Sequence, residues 1–141
     1  MPTRTARTAW NGGLQDGSGQ VELSSSKVGT FEVSFPKRAA DDAGGTTSPE
    51  ELIAAAHSSC FNMAFSNGLA KAGNPPIKLT TSAAVTFVPG QGITGVHLTV
   101  EGDVPGLDDD AFAAAAEDAK KNCPVSQALT GTTITLSAKL V

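Results

Sequence analysis

The stretch from Ser48 to Gly68 constrains the fold of this chain more than any other, because it predicts one long helix with both ends marked. Ser48 is a favourable N-cap, and Pro49 suits the first helical position, where a missing N–H costs nothing. Glu51 follows Ser48 by three residues and completes a capping box. We expect the helix to end at Gly68, which after Asn67 would supply the left-handed C′ residue.

The body of this predicted helix is apolar on almost every side. Its apolar residues are Leu52, Ile53, Ala54, Ala55, Ala56, Phe61, Met63, Ala64 and Phe65. A helix of this kind is buried in a core or in an interface, and this one is too short and too polar at its ends to span a membrane. Glu50, His57 and Cys60 are the polar exceptions, and buried polar groups require partners or a purpose.

Length and charge limit the remaining possibilities. The chain has 141 residues, the size of one ordinary domain, and a net charge of −4 without a Lys/Arg cluster. Nucleic acid and anionic membranes are therefore poor partner candidates. No apolar run follows Arg4 and Arg7, so no secretory signal is visible and we expect a cytoplasmic protein. In that reducing compartment, two cysteines are more often redox-active, metal-binding or simply buried than paired in a structural disulfide.

The pattern along the chain predicts one α+β domain over residues 1–141, with mostly antiparallel strands in the order βββ-α-ββ-αα-β. Alternating apolar residues and turn signals place the strands at 3–10, 20–23, 31–35, 77–88, 93–101 and 132–140. Beside the central helix, we expect helices at 108–122 and 124–129. The polar connector 36–47 has no periodicity and is expected to be a surface loop.

The two cysteines have different local contexts. Cys60 lies in the middle of the central helix, where a free cysteine can simply act as a small hydrophobic residue. Cys123 directly precedes Pro124, in the N-cap region of the short helix, where unpaired N–H groups favour a thiolate. Its alternative interpretation is again a buried structural cysteine.

Four further residues are candidates for chemistry, each with a simpler structural reading. For Glu50, the simpler interpretation is that its carboxylate only interacts favourably with the helix N-terminus. His57 lies three residues before Cys60, but a lone buried histidine is more often a hydrogen-bonded core residue than a catalyst. His97, on a predicted strand, is expected to be structural. Arg38 is either a solvated surface charge or the cation that a thiolate requires.

Two motifs together resemble the OsmC/Ohr family of organic hydroperoxide reductases: T-T-S-P-E-E-L-I-A-A-A-H-S-S-C-F and N-C-P-V-S-Q-A-L. The resemblance extends over the whole chain. It implies that Cys60 is the peroxidatic cysteine, Cys123 the resolving cysteine and Glu50 the glutamate of the P-E motif. An arginine in the loop before that motif characterises the OsmC branch, and Arg38 is in that position.

The resemblance further implies a thiol-dependent peroxidase of oxidative and osmotic stress defence. Organic hydroperoxides would oxidise Cys60 to a sulfenic acid, and a Cys60–Cys123 disulfide would follow. An external dithiol, either a small thiol or a lipoylated protein, would reduce it, without a metal or another cofactor. Arg38 would stabilise the thiolate and the leaving oxygen. Phe61, Met63 and Phe65 could line an apolar mouth for the substrate.

Members of this family are intertwined homodimers with active sites at the interface. Helix geometry agrees with that expectation, because ten positions separate Glu50 from Cys60, about 15 Å along one helix. We therefore expect the Glu50 that orients Arg38 at a given Cys60 to come from the other chain.

Two alternatives from other functional classes stay open at this point. Cys60, Cys123 and His57 could bind a metal ion, although they lack the usual ligand spacings. The chain could also be a non-catalytic stress or binding protein of the same fold. Metal analysis tests the first alternative, and turnover of cumene hydroperoxide with a dithiol tests the second.

Overall fold

Ten helices and strands make up the fold in a computed structural model that describes residues 1–141. In chain order they are β1 (Arg7–Asn11), β2 (Ser18–Glu22), β3 (Thr30–Val33), α1 (Phe35–Arg38), α2 (Pro49–Lys71), β4 (Lys78–Val88), β5 (Gly92–Asp103), α3 (Asp109–Asn122), α4 (Pro124–Ala128) and β6 (Thr133–Leu140). The predicted α+β class is confirmed, with α1 as an additional element. The chain divides into two compact units, Met1–Leu52 and Ile53–Val141. No helix has the length and apolar character needed to cross a membrane.

The first unit is built on a three-stranded antiparallel meander in the order β1-β2-β3. The predicted surface loop 36–47 is wrong at its beginning, because Phe35–Arg38 forms the short helix α1. Ser34 is its N-cap, and the Ser34 hydroxyl accepts a hydrogen bond from the backbone N–H of Lys37 at 3.4 Å. A single helical turn carries no periodicity that sequence reasoning could detect.

The N-cap half of the predicted capping box is formed at the N-terminus of α2. The Ser48 hydroxyl accepts a hydrogen bond from the backbone N–H of Glu51 at 3.1 Å. Two glutamates, Glu50 and Glu51, occupy the first turn, where the partial positive charge of the helix N-terminus favours them. The hydrogen bond to Ser48 satisfies one of the four N–H groups in the first turn that have no partner within the helix.

The C-terminus of α2 lies beyond the predicted position. Gly68 is helical, and the helix continues to Lys71. The left-handed residue is Gly73, with φ +90°. Asn74 N–H donates to the carbonyl of Leu69 at 2.9 Å and Gly73 N–H donates to that of Ala70 at 3.1 Å, the two bonds of a Schellman motif.

The second unit contains the sheet β4-β5-β6, in which β4 and β5 form the predicted antiparallel hairpin and β6 pairs with β5 in parallel. Alternation along β5 directs Val96, Leu98 and Val100 into the core. On α3, the predicted N-cap Asp108 is confirmed by its hydrogen bond from the N–H of Ala111 at 2.8 Å. The sheet and α3 therefore enclose one side of α2.

The core of this unit is organised around aromatic side chains of α2. Phe61, Phe65 and Leu69 are completely or almost completely buried, and the ring of Phe65 packs against those of Phe61 and Phe112 at centroid distances of 5.5 and 5.2 Å. The opposite side of α2 is uncovered within the single chain, where Met63 is 73% exposed. The helix is thus buried on one side by its own unit and leaves an apolar side open.

Candidate active site

The structure brings the two predicted redox cysteines together in the second unit. Cys60 lies in α2 and is half-buried, whereas Cys123 is completely buried at the junction of α3 and α4. Both are free thiols. Cys60 packs against the buried cluster that contains Cys123, and the side chains of the two cysteines interact, so the two thiols lie near each other.

A backbone N–H at the start of α4 also contacts Cys60. Pro124 occupies the first position of this helix and has no N–H, so the N–H of Val125 is the first one free to donate. It donates to the Cys60 sulfur and favours its thiolate form. Sequence reasoning assigned the helix N-terminus to Cys123 instead, but the Cys123 side chain makes no capping hydrogen bond.

The environment of Cys60 keeps its thiol protonated. Burial raises the pKa of Cys60 above its ordinary value, and the hydrogen bond and charge of Cys123 raise it further. The N–H of Val125 opposes these effects without reversing them. A nucleophilic Cys60 therefore requires an additional source of positive charge.

The predicted cation and carboxylate form a close pair in the first unit. Arg38 Nη2 donates to Glu50 Oε1 at 2.7 Å, and Arg38 Nε lies 3.1 and 3.2 Å from the two carboxylate oxygens. Arg38 was expected in a loop but belongs to α1, and of its two readings the solvated surface charge does not fit, because its side chain is only 29% exposed and is paired with Glu50. Bidentate binding by a nearly buried carboxylate fixes the direction of the guanidinium.

An apolar cavity of about 410 Å³ adjoins this pair. Its walls include Trp10, Leu14, Val33 and Phe35, and Arg38 is the one charged residue that lines it. The exposed side chains of Trp10 and Leu14 lie in this lining. Such a cavity can hold a hydrocarbon group next to a fixed cation.

His57 forms a buried hydrogen bond beside the cysteines. Its Nε2 lies 2.7 Å from the hydroxyl of Ser126, while its Nδ1 is buried without a partner. Burial lowers the pKa of His57 below its ordinary value, so the ring is neutral. His97, by contrast, is exposed on β5 and is bonded to Thr135 and Ser137.

The predicted aromatic mouth is not formed. Phe61 and Phe65 are completely buried in the core, and Met63 is exposed on the opposite side of α2. Their helical spacing fits both interpretations, and the need to fill the core decides between them. The His/Cys metal alternative is also not supported by the structure, because no three His, Cys, Asp or Glu side chains form a cluster suited to a metal ion.

Comparison with known proteins shows the family to which the chain belongs. The profile of the OsmC-like protein family matches residues 41–137. Peroxiredoxin OsmC from Escherichia coli (strain K12) is 39% identical over 123 residues, which is 85% of each chain. The same values hold for peroxiredoxin OsmC from Shigella flexneri.

Solved structures show the same fold over nearly the full length. An organic hydroperoxide resistance protein OsmC from Legionella pneumophila has a TM-score of 0.73 and 23% identity, with 99% of this chain and 98% of that one covered. An organic hydroperoxide resistance protein from Elizabethkingia anophelis has a TM-score of 0.72 and 26% identity, with 100% and 98% covered. Sequence and fold together place this chain in the OsmC-like protein family.

Proposed function

We propose that this protein reduces organic hydroperoxides to alcohols through a Cys60 sulfenic acid and a Cys60–Cys123 disulfide, as part of oxidative and osmotic stress defence. The observation that carries the proposal is the contact between the two free thiols. The chain is a cysteine-based peroxidase, as its 39% identity to peroxiredoxin OsmC over most of both chains indicates. The Elizabethkingia protein, which is described by its resistance to organic hydroperoxides, supports the same substrate class.

The first step consumes the peroxide. The Cys60 thiolate attacks the terminal oxygen of R–O–O–H, the O–O bond breaks, and R–O⁻ takes up a proton to leave as the alcohol. Cys60 is oxidised to a sulfenic acid. The N–H of Val125 stabilises the attacking thiolate.

The second step forms the disulfide. The sulfur of Cys123 attacks the sulfenic sulfur of Cys60, and the hydroxyl leaves with the Cys123 proton as water. A dithiol from outside the protein, a small thiol or a lipoylated protein, then reduces the disulfide by thiol–disulfide exchange. The cycle needs only these thiols and no metal or organic cofactor.

Arg38 supplies the positive charge that Cys60 lacks. A guanidinium keeps its charge inside a protein site and can stabilise both a thiolate and the oxyanion that leaves. Glu50 holds it in one direction through the bidentate contact. The cavity beside Arg38 accepts the organic group of the substrate, so we expect cumene hydroperoxide to react faster than hydrogen peroxide.

The active site is shared between two chains of a homodimer. Ten helical positions separate Glu50 from Cys60, and the open side of α2 exposes Met63 together with small residues that a second copy can cover. Because Arg38 and Glu50 are bonded within one chain, both would reach the Cys60 of the partner as a unit.

Complementation tests the shared site. Cys60→Ser chains refolded with Arg38→Ala chains should form heterodimers that contain one intact site, and part of the activity should return. Refolding is required because an obligate dimer exchanges only through dissociation. Verified heterodimers that stay inactive, or an active monomer in sedimentation, would exclude the arrangement.

Mass spectrometry of the intact protein tests the chemistry. One equivalent of cumene hydroperoxide should remove two hydrogens and link the peptides that contain Cys60 and Cys123. Cys123→Ser should stop at a sulfenic or over-oxidised Cys60. Retained turnover in Cys60→Ser would assign the nucleophile to another residue, and turnover lost on chelation would indicate a metal.

A further inference from the structure

Three contacts connect α2 with the beginning of α4, and the proposed cycle uses only the two that Cys60 makes. His57 lies one helical turn before Cys60, and Ser126 lies three residues after Cys123. Cys60 contacts Cys123 and Val125, while His57 Nε2 lies 2.7 Å from the Ser126 hydroxyl. The histidine–serine bond therefore runs beside the cysteine pair and joins the same two helices.

This bond is a costly way to join two helices for stability alone. His57 is completely buried and Ser126 is 5% exposed. A typical buried hydrogen bond adds about 1 kcal/mol to stability, whereas an unpartnered buried polar atom costs roughly 1–3 kcal/mol. Since Nδ1 of His57 has no partner, a leucine at this position would serve the core at least as well.

The unpartnered nitrogen also indicates the direction of the bond. An unpaired buried N–H is rarer in proteins than an under-satisfied acceptor. The neutral ring therefore keeps its proton on Nε2, which donates to the Ser126 hydroxyl, and leaves Nδ1 as a bare acceptor. The contact then consists of one donor, on His57, and one acceptor, the Ser126 hydroxyl. Another side chain can replace the imidazole if it places a donor at the same distance from the backbone.

The position of α4 depends on contacts of this kind. It has five residues, too few for a helix that is stable by itself, and its N-cap Cys123 forms no side-chain cap. Disulfide formation is geometrically demanding, because the Cα atoms of the two cysteines must lie about 4.4–6.8 Å apart with the side chains correctly directed. Cys123 is held on one side by α3, through its N–H bond to the carbonyl of Ala119, and directly precedes α4 on the other, so the placement of α4 contributes to the direction of its side chain.

We propose that the His57–Ser126 hydrogen bond fixes α4 against α2 so that Cys123 can attack the Cys60 sulfenic acid, which makes His57 and Ser126 positioning residues for the resolving step. The inference rests on the proposed function for the reaction concerned. The step forms the S–S bond, breaks the S–O bond and releases water that carries the thiol proton. His57 takes no proton in it.

Single-turnover kinetics separate this role from a role in peroxide attack. With one equivalent of cumene hydroperoxide, samples quenched with dimedone report sulfenic acid and disulfide by intact mass. His57→Leu and Ser126→Ala should slow disulfide formation by about tenfold or more, while sulfenic acid forms within about twofold of the wild-type rate. Excess peroxide should then over-oxidise Cys60 in these variants.

Two substitutions provide the controls. His57→Gln retains a donor that can reach Ser126, and it should recover most of the resolving rate although it cannot act as an acid or base. His97→Leu removes a histidine that is also bonded to hydroxyl groups, those of Thr135 and Ser137, but on the exposed side of β5. It should leave both steps unchanged.

An equilibrium experiment does not depend on peroxidase activity. Titration of the Cys60–Cys123 pair with reduced and oxidised glutathione gives the effective concentration of one thiol toward the other. This effective concentration should fall about tenfold in Ser126→Ala and His57→Leu and should recover in His57→Gln. This result would support the positioning role even if hydroperoxides prove not to be the substrate.

The results that would overturn the inference are equally distinct. Unchanged glutathione equilibria and resolving rates in folded His57→Leu and Ser126→Ala would show that the bond does not position Cys123. Equal slowing of sulfenic acid and disulfide formation would assign His57 to the chemistry at Cys60 instead. Failure of His57→Gln to recover either quantity would exclude the hydrogen bond as the cause.

Discussion

Acidification should destabilise the protein through His57. This residue is completely buried, and burial lowers its pKa from the ordinary value of 6.5. Below that pH the unfolded chain binds a proton on His57, whereas the folded chain does not until its lower pKa is reached. The contribution of His57 to the free energy of unfolding is therefore complete above pH 6.5. It decreases as the pH falls below that value, by up to about 1.4 kcal/mol per pH unit.

Urea unfolding at one fixed protein concentration measures this effect. Between about pH 7.5 and about pH 5.5, the wild-type protein should lose more of its free energy of unfolding than His57→Leu, by at most about 1.4 kcal/mol. The difference between the two proteins removes the contribution of carboxylates, which is common to both.

Equal pH dependence in the wild type and His57→Leu would refute the reasoning. It would mean that His57 has the same pKa in the folded and the unfolded chain, so that burial does not disfavour its protonated form. The imidazole C–H resonances offer a direct check, because His57 should remain in its neutral form at a pH where the unfolded chain is protonated.

Three further predictions follow from the site, the core and the end of α2. Arg38→Ala should raise the pKa of Cys60 and slow peroxide attack by about 100-fold; thiolate absorbance and stopped-flow kinetics measure both, and near wild-type values would mean that another group supplies the charge. Phe65→Ala should cost about 3–5 kcal/mol in urea unfolding, because its ring is completely buried between two others; a loss below about 1 kcal/mol would contradict that packing. Gly68→Ala should stabilise the chain by about 0.5–1 kcal/mol and Gly73→Ala should destabilise it, since only Gly73 has a positive φ; effects of the same sign would place the helix end elsewhere.

The end of α2 shows where sequence reasoning loses certainty. Asn67-Gly68 and Gly73-Asn74 are both helix-ending signals, and the local pattern favours neither. Leu69 decides, because burial of its side chain contributes roughly 2 kcal/mol whereas a glycine inside a helix costs about 1 kcal/mol. That comparison requires knowing that the core extends one turn further, which is tertiary information.

The same limit applies within the site. The chain's motifs identified the cysteines and the Arg38–Glu50 candidates, since these depend on residue type and spacing. The N–H of Val125 was missed because any residue carries one, although the Cys-Pro pair that precedes it is a usable signal. Ser126 was missed as well, yet it stands three residues after Cys123 as His57 stands three before Cys60. That matched spacing on two helices was the available indication of their contact.

The raised pKa of Cys60 gives the proposed assembly a physical reason. Burial and the neighbouring Cys123 keep this thiol protonated, and the single N–H of Val125 does not compensate for them. A protonated thiol is a poor nucleophile toward peroxides. In the proposed homodimer the Arg38–Glu50 pair of the second chain supplies the missing charge, and its cavity supplies the site for the organic group. Reactivity would thus arise where the thiol of one copy and the cation of the other meet, whereas an isolated chain would contain only a half-buried, protonated Cys60 beside its resolving partner.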